Sequence, residues 1–221
     1  MRVFQIGAAG GVGRRLARLL TEDGHEVSGT HRDPAQAATI EEAGATPVLL
    51  DLIEATAEEL AEAVRGHDAV VFSAGAHGTG ADKTTAIDGR GLEKSADAAR
   101  LAGVRRFLLV SVFPDAGRGR EPSEGFEHYM RVKKTADVYL TRTGLDWVIV
   151  RPGTLTDEPG TGRVEAGLAT EYGDVPRDDV AAFLFAALQE PGLTRTIVEL
   201  TTGETPVREA AHRLAAGATA P

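Results

Sequence analysis

A glycine-rich turn near the beginning of the chain constrains its fold more than any other feature. An apolar run, Arg2–Ile6, leads into Gly7, Gly10 and Gly13, and a helix-forming segment, Val12–Thr21, overlaps the last glycine. Gly7 allows a tight turn out of a strand, Gly10 lets the backbone approach a phosphate, and Gly13 allows close packing of helix on sheet. The free amides and positive dipole end of such a helix attract anions. The sequence therefore predicts a dinucleotide-binding turn.

The rest of the chain alternates apolar, β-branched runs with helical patterns. The predicted strands are Arg2–Ile6, Glu26–His31, Pro47–Leu50, Ala69–Ser73, Arg106–Val112, Trp147–Arg151 and Thr196–Thr201. The predicted helices are Val12–Thr21, Pro34–Ala43, Thr56–Val64, Thr85–Ala102, Glu124–Thr143, Arg177–Gln189 and Val207–Ala215. Such alternation indicates parallel strands joined by right-handed crossovers. We expect one doubly wound α/β domain of Rossmann type over residues 1–221, with a central, mainly parallel sheet of about seven strands.

Composition excludes several classes of protein and site. The 221 residues include no cysteine, which excludes disulfides and thiol chemistry, and the six histidines have no metal-ligand spacing, so no metal site is expected. A net charge of −9 argues against nucleic acid and anionic membranes as partners. No apolar run is long enough to span a bilayer, and no signal-peptide pattern is present. We expect a cytoplasmic monomer or homodimer that acts on a small molecule.

The end of the second predicted strand distinguishes NADP from NAD. An arginine there binds a 2′-phosphate, whereas an acidic residue binds the free ribose hydroxyl. Arg32 stands at this position, and Arg14, directly after Gly13, could face the same phosphate. A shift of one residue would instead place Asp33 at the ribose, although its position before Pro34 suits a helix N-cap better. The sequence favours NADP, with NAD as the alternative.

A tyrosine and a lysine have the spacing that proton transfer beside a cofactor requires. Tyr129 and Lys133 lie four residues apart in a predicted helix and therefore share one face. A carbonyl reductase must deliver a proton as well as a hydride, and an ammonium one turn away would lower the pKa of a tyrosine. The pair opens the helix after the fifth predicted strand, which places it beside the cofactor.

Two segments interrupt the alternation, and both follow predicted strand ends. Residues 113–126 and 152–173 are polar and rich in glycine and proline. In open α/β sheets, ligands bind outside the carboxyl ends of the strands. We therefore expect these segments to be substrate loops, with ordinary surface connections as the alternative.

An ordered series of motifs resembles the short-chain dehydrogenase/reductase superfamily. It is most similar to the atypical branch of NAD(P)-binding, epimerase/dehydratase-like proteins. The motifs are Gly7–Gly13, Arg32-Asp33-Pro34, Asp51-Leu52, Ser73-Ala74-Gly75, Gly103–Phe107, Val110-Ser111, Tyr129-x-x-x-Lys133, Gly144–Trp147, Val150–Gly153 and Arg177–Ala181. They extend over nearly the whole chain, and their order is more specific than any one of them.

The resemblance implies a role for individual positions. It implies that the diphosphate is bound by Gly7, Gly10, Gly11, Val12 and Gly13, and the 2′-phosphate by Arg32. It implies adenine contacts for Asp51 and Leu52, adenosine and ribose contacts for Ser73, Ala74 and Gly75, and passage of Pro152 and Gly153 near the nicotinamide. Tyr129 is implied as the catalytic acid/base, Lys133 as its partner and ribose ligand, and Ser111 as the substrate-orienting hydroxyl. Asp51 has a simpler alternative as a turn residue, and Ser73–Gly75 as a plain strand exit.

Two departures from the family pattern affect the expected activity. Ser111 is the one small hydroxyl residue at the end of the fifth predicted strand, so the catalytic triad is either displaced or incomplete. The chain also ends soon after its seventh predicted strand, which favours a small carbonyl compound over a nucleotide sugar. We expect an NADP-dependent oxidoreductase that interconverts a small carbonyl and its alcohol. The alternatives are an NADP(H)-binding redox sensor or regulator with little catalysis, and an epimerase or isomerase that oxidises its substrate transiently.

Overall fold

Strands and helices alternate along the chain in the computed structural model, which describes residues 1–76, 78–117, 121 and 123–218. The strands are β1 Arg2–Ile6, β2 Glu26–His31, β3 Thr46–Leu49, β4 Ala69–Phe72, β5 Arg106–Val110, β6 Asp146–Pro152, β7 Thr154–Thr156, β8 Arg163–Gly167, β9 Asp174–Pro176, β10 Thr196–Thr202 and β11 Thr205–Pro206. The helices are α1 Gly11–Glu22, α2 Ala37–Glu42, α3 Ala57–Val64, α4 Ala81–Thr84, α5 Leu92–Ala102, α6 Glu124–Thr141, α7 Arg177–Gln189 and α8 Val207–Ala218. A 3₁₀ turn, Pro34–Gln36, precedes α2, and a π-helical segment, Thr85–Gly91, joins α4 to α5.

Nine strands of the described residues form one sheet in the order β11-β8-β10-β6-β5-β4-β1-β2-β3. The run from β10 to β3 is parallel throughout and contains all seven strands expected from the sequence. The strand order reverses between β1 and β4, and a doubly wound sheet binds its ligand at the carboxyl end of such a switch point. The predicted α/β Rossmann-type fold is therefore confirmed.

The expected loop at 152–173 is more structured than the sequence suggested. It contains β8, which pairs antiparallel with β10, and β7, which pairs parallel with β9 in a separate two-stranded sheet. β8 and β11 extend the main sheet beyond β10 by antiparallel pairing. The sequence did not indicate these strands, because the segment has the polar, glycine-rich composition of a loop and its strands pair with partners distant in the chain. Residues 118–120 and 122 of the other expected loop lie outside the described residues.

Alternate side chains of the central strands supply two apolar layers. Val3 and Val71 pack in the layer beneath α1 and α7, whereas Phe4 and Phe72 pack in the layer beneath α3 and α5. This period of two is what a strand buried on both faces requires. The two layers anchor the sheet between its helices, with β1 and β4 side by side at its centre.

Two predicted helix starts have the capping contacts that their residues favour. The Asp33 carboxylate accepts a hydrogen bond from the backbone N–H of Ala35 at 2.9 Å, at the start of the 3₁₀ turn. Thr56 and Glu59 form a reciprocal capping box at the start of α3. None of the helices in the described ranges combines the length and apolar character needed to cross a bilayer.

Candidate functional site

The glycine-rich turn packs against the end of β4. Gly7 has φ +88°, and a Cβ on it would lie 2.6 Å from the backbone nitrogen of Ala74. A Cβ on Gly13 would overlap the carbonyl oxygen of Gly7. Beneath the turn, buried Gln5 donates a hydrogen bond from Nε2 to the Gly13 carbonyl at 2.7 Å. Glycine is therefore required at both positions by neighbouring backbone.

The first turn of α1 has the properties that a phosphate group needs. Gly10 occupies the N-cap position, no side chain caps the helix, and the first turn contains no acidic residue. The leading amides of a helix have no acceptor within it, and the dipole there favours an anion. The side-chain caps of α3 at Thr56 and of α6 at Ser123 contrast with this open end. The open end and the cradle of glycines fit a bound diphosphate.

A first cavity of about 230 Å³ lies beside this turn, at the carboxyl ends of β1 to β4. Its walls include eight of the expected cofactor residues: Gly7, Gly10, Arg32, Asp51, Leu52, Ser73, Ala74 and Gly75. Sequence reasoning missed other wall residues, among them Thr30, His31, Gln36, Ile53 and Thr79. Gly11, Val12 and Gly13 belong to α1 and are not among the wall residues in the described chain.

The sequence left open whether Arg32 or Asp33 lies at the ribose of the cofactor, and the structure gives the two side chains different surroundings. Arg32 is exposed and lines the first cavity. The Asp33 carboxylate caps the following turn through Ala35. Asp51 lines the cavity and also accepts a hydrogen bond from the Ile53 N–H at 2.8 Å, so it is a turn residue as well as a wall residue.

A second cavity of about 510 Å³ continues from the first, and the two share the Ser73–Ala76 segment. Ser111, Tyr129 and Lys133, the three expected catalytic residues, all line it. Phe126 and Leu155 supply apolar wall. The structure thus brings the tyrosine, lysine and serine together in a cavity that shares a wall with the one beside the glycine-rich turn.

Lys133 is buried and held by two groups. Its Nζ donates a hydrogen bond to the Val110 carbonyl at 3.0 Å and lies 3.6 Å from Asp88 Oδ1. The other Asp88 oxygen accepts a hydrogen bond from the Ala76 N–H at 3.0 Å. Asp88 comes from the π-helical segment and was not expected from the sequence, because nothing local marks an aspartate on a helical pattern as buried. It ties the lysine to the segment that both cavities share.

The pKa of Tyr129 is shifted in the direction opposite to the one expected from the sequence. Burial raises its pKa well above the usual value of 10, and the negative charges of Asp88 and Asp137 raise it further. The expected lowering by Lys133 is therefore wrong for this structure, since burial and two carboxylates disfavour the phenolate. Tyr129 is a protonated phenol at neutral pH.

A buried network lies behind the Ser111 hydroxyl. Ser111 Oγ donates to Asp137 Oδ1 at 2.6 Å, and Arg151 donates to Asp137 Oδ2 from Nε at 3.0 Å and from Nη2 at 2.9 Å. Burial raises the pKa of Asp137, while the Ser111 hydrogen bond and the charges of Arg151 and Lys133 oppose the rise. The network fixes the Ser111 oxygen at the cavity wall.

Pro152 and Gly153, expected near the nicotinamide, pack against neighbouring backbone. Pro152 ends β6, and the Gly153 N–H donates to the Leu200 carbonyl at 2.9 Å. A Cβ on Gly153 would overlap the Gly173 carbonyl oxygen. Neither residue is part of the cavity walls in the described chain, where Leu155 from β7 is the nearest contribution in sequence.

The strand order and the cleft at the switch point define a dinucleotide-binding protein. The chain belongs to the NAD(P)H-binding family, whose model matches residues 7–191. It is 41% identical over 216 residues to a Bacillus subtilis (strain 168) protein named as an uncharacterized sugar epimerase, YhfK, covering 97% of this chain and 100% of that one.

Two solved structures show the same architecture. One, from Bacillus halodurans, is named as a candidate NAD-dependent epimerase/dehydratase; it is 34% identical with a TM-score of 0.87, over 97% of this chain and 100% of that one. The other, the oxidoreductase ylbE from Lactococcus lactis, is 28% identical with a TM-score of 0.85, over 97% and 96% of the two chains. The resemblance to the atypical, epimerase- and reductase-like branch of the short-chain dehydrogenases/reductases is confirmed.

Proposed function

We propose that this protein is an NADP-dependent reductase of a small carbonyl compound. The observation that carries the proposal is a pair of adjoining cavities, in which the Ser73–Ala76 segment forms wall both beside the glycine-rich turn and beside Tyr129 and Lys133. This arrangement would place one end of a bound dinucleotide beside a proton donor. The second cavity leaves room for a small substrate between that end and the Phe126 ring.

Preference for NADP is supported by the end of β2. Arg32 lines the groove with an exposed guanidinium, which can bind a phosphate through two parallel hydrogen bonds. The nearest acidic residue in sequence, Asp33, is engaged in capping the next turn. A ribose 2′-phosphate at this place would therefore meet a cation and no competing carboxylate from Asp33.

The protonation state of Tyr129 favours reduction. When bound, the nicotinamide supplies a hydride to the substrate carbonyl carbon. Tyr129 Oη then gives its proton to the oxygen that gains the electron pair, and water restores the tyrosine proton. Tyr129 is protonated at neutral pH and can give its proton to an alkoxide, whereas its raised pKa disfavours the phenolate that would remove a proton from an alcohol. Lys133 lies 3.6 Å from Asp88 as an opposite charge beside the reacting oxygen. Ser111 donates its hydrogen to Asp137, so its Oγ can accept a hydrogen bond from the hydroxyl of the alcohol product.

An epimerase with transient oxidation is the second candidate, supported by the name of the 41% identical Bacillus subtilis relative. It requires the same cofactor groove, but Tyr129 would have to accept a proton in the first half-reaction. The two functions differ in cofactor consumption, because an epimerase regenerates its cofactor and a reductase consumes NADPH. A regulatory NADP(H) sensor would bind cofactor and turn over neither kind of substrate.

The first test is a fluorescence titration of the wild type and Arg32→Ala with NADPH and NADH. Removing a charge-assisted phosphate contact should weaken NADPH binding by about tenfold or more and leave NADH binding nearly unchanged. Arg18→Ala, an exposed arginine on α1 outside the cavity walls, is the matched control. Equal weakening of both nucleotides would contradict the NADP assignment.

The second test follows NADPH consumption across a panel of aldehydes and ketones. Tyr129→Phe should abolish turnover and retain NADPH affinity, since the aromatic ring stays while the hydroxyl that donates the proton is lost. Normal turnover by this variant would refute the assigned proton donor. Binding without consumption of NADPH by the wild type on any member of the panel would favour the epimerase or sensor.

A further inference from the structure

A bridge of opposite charges crosses the start of α1, beside the glycine-rich turn. Asp157 Oδ1 lies 3.1 Å from Arg177 Nη1 and 3.5 Å from Arg15 Nη2. Asp157 comes from the segment after β7, Arg177 begins α7, and Arg15 belongs to α1. One exposed carboxylate thus engages two cations that approach the turn from different elements.

The two arginines differ in how firmly they are held. Arg15 donates to the Gly11 carbonyl at 2.9 Å and to Asp178 Oδ1 at 2.6 Å in addition to facing Asp157. Among the contacts of the described residues, Arg177 has beside Asp157 a long hydrogen bond of 3.4 Å to the Leu155 carbonyl. Arg177 is therefore the cation that can change partners at low cost.

Arg177 also lies directly over the diphosphate-binding turn. A Cβ on Gly11 would be 2.8 Å from Arg177 Cδ and 3.0 Å from its Nε. Gly11 is the first residue of α1, the helix whose leading amides have no side-chain cap. An anion at those amides would be within the range of movement of the Arg177 guanidinium.

We propose that Arg177 is a diphosphate-binding residue and that Asp157 occupies it when no nucleotide is bound. This inference rests on the proposed cofactor function and adds a residue to it. The carboxylate is 73% exposed, and ion pairs of that kind are weak. A diphosphate offers more charge and a geometry that suits the guanidinium fork, so Arg177 exchanges Asp157 for the nucleotide. Asp157 then acts against nucleotide binding, and Arg177 acts for it.

The segment that carries Asp157 is anchored independently of Arg177. Asp179 accepts hydrogen bonds from the Thr161 N–H at 2.9 Å and from the Gly162 N–H at 2.8 Å. Asp178 accepts a further one from the Gly160 N–H at 3.3 Å. We therefore expect the local fold of the segment to survive loss of the Asp157 carboxylate. A change in affinity at that position then reports on the two cations that it engages, of which Arg177 is the nearer and the less firmly held.

The test compares two charge deletions with opposite expected signs, by titration with NADPH and NADH. Asp157→Asn should tighten binding about threefold, the amount that a weak exposed ion pair is worth. Arg177→Gln should weaken it by about tenfold or more, because a charge-assisted phosphate contact is lost. Both effects should be equal for the two nucleotides, which share the diphosphate. Glu158→Gln and Arg18→Gln control for the change in net charge, and thermal unfolding confirms that each variant folds.

The outcomes separate this inference from the proposed function. Tighter binding by Asp157→Asn together with weaker binding by Arg177→Gln supports the exchange. Wild-type binding that neither variant changes beyond its control overturns the inference and leaves the cofactor assignment standing. Weaker binding by Asp157→Asn also overturns it, since the carboxylate would then support the site. Failure of the wild type to bind either nucleotide overturns both.

Discussion

Asp137→Ala tests whether the network behind Ser111 is a buried charge pair. The Asp137 side chain is 5% exposed and that of Arg151 19%, so removing the carboxylate leaves a guanidinium largely shielded from water. Breaking a buried pair in this way costs about 3–5 kcal/mol in the free energy of unfolding. For a chain of this size that corresponds to a drop in Tm of about 10 °C.

A surface pair of the same chemistry provides the control. Arg105 also makes two hydrogen bonds to Asp146, at 3.1 and 3.2 Å, but these side chains are 66% and 35% exposed. Asp146→Ala should cost about 1 kcal/mol or less. The free energies come from denaturant unfolding of both variants and of Asp137→Ala/Arg151→Met, in which no charge is left unpaired and most of the stability should return. Equal costs at Asp137 and Asp146 would refute the reasoning from burial.

Two further predictions concern the cleft. The ultraviolet difference spectrum between the wild type and Tyr129→Phe should show no phenolate as the pH passes 10, and Asp88→Asn should bring that ionisation to lower pH. The pKa of Tyr129 is higher in the folded than in the unfolded state, so its protonated phenol contributes fully to stability below about pH 10, the unfolded-state pKa. That contribution is lost as the pH rises through the folded-state pKa. Ionisation of Tyr129 at the ordinary pKa would contradict this prediction. In Gly13→Ala the new methyl meets the Gly7 carbonyl, so the free energy of unfolding should fall by about 1–3 kcal/mol and NADPH binding should be lost. Gly144→Ala is the control, because a Cβ there has no neighbouring atom within 4 Å, and it should change neither property. Unchanged NADPH binding by Gly13→Ala would show that the turn adapts.

The parts of the fold that depend on local patterns were predictable from the sequence. Several parallel strands are apolar runs, and two reasons for glycine in the turn are local: the positive φ of Gly7 and the approach of Gly13 to the Gly7 carbonyl. Asp33 was open to two interpretations, and the cap at Ala35 resolves its structural role. Each of these features depends on residues close together in the chain.

Features that depend on distant contacts were not predictable. β8 exists because Glu165 pairs with Thr201, thirty-six positions further along, and its own sequence resembles a loop. The ionisation of Tyr129 was expected to follow Lys133 because that residue shares its helical face. The pKa of Tyr129 is instead raised, by burial and by the charge of Asp88 on another element, and the Tyr129–Lys133 spacing reveals neither cause.

Both outer strands of the main sheet contain a proline. Pro47 lies in β3 at one margin and Pro206 in β11 at the other. Proline has no N–H to donate, so neither margin can offer an unbroken ladder to a strand from another molecule. The sheet is in this sense self-terminating, since a strand added at either margin would leave a backbone hydrogen bond unmade there.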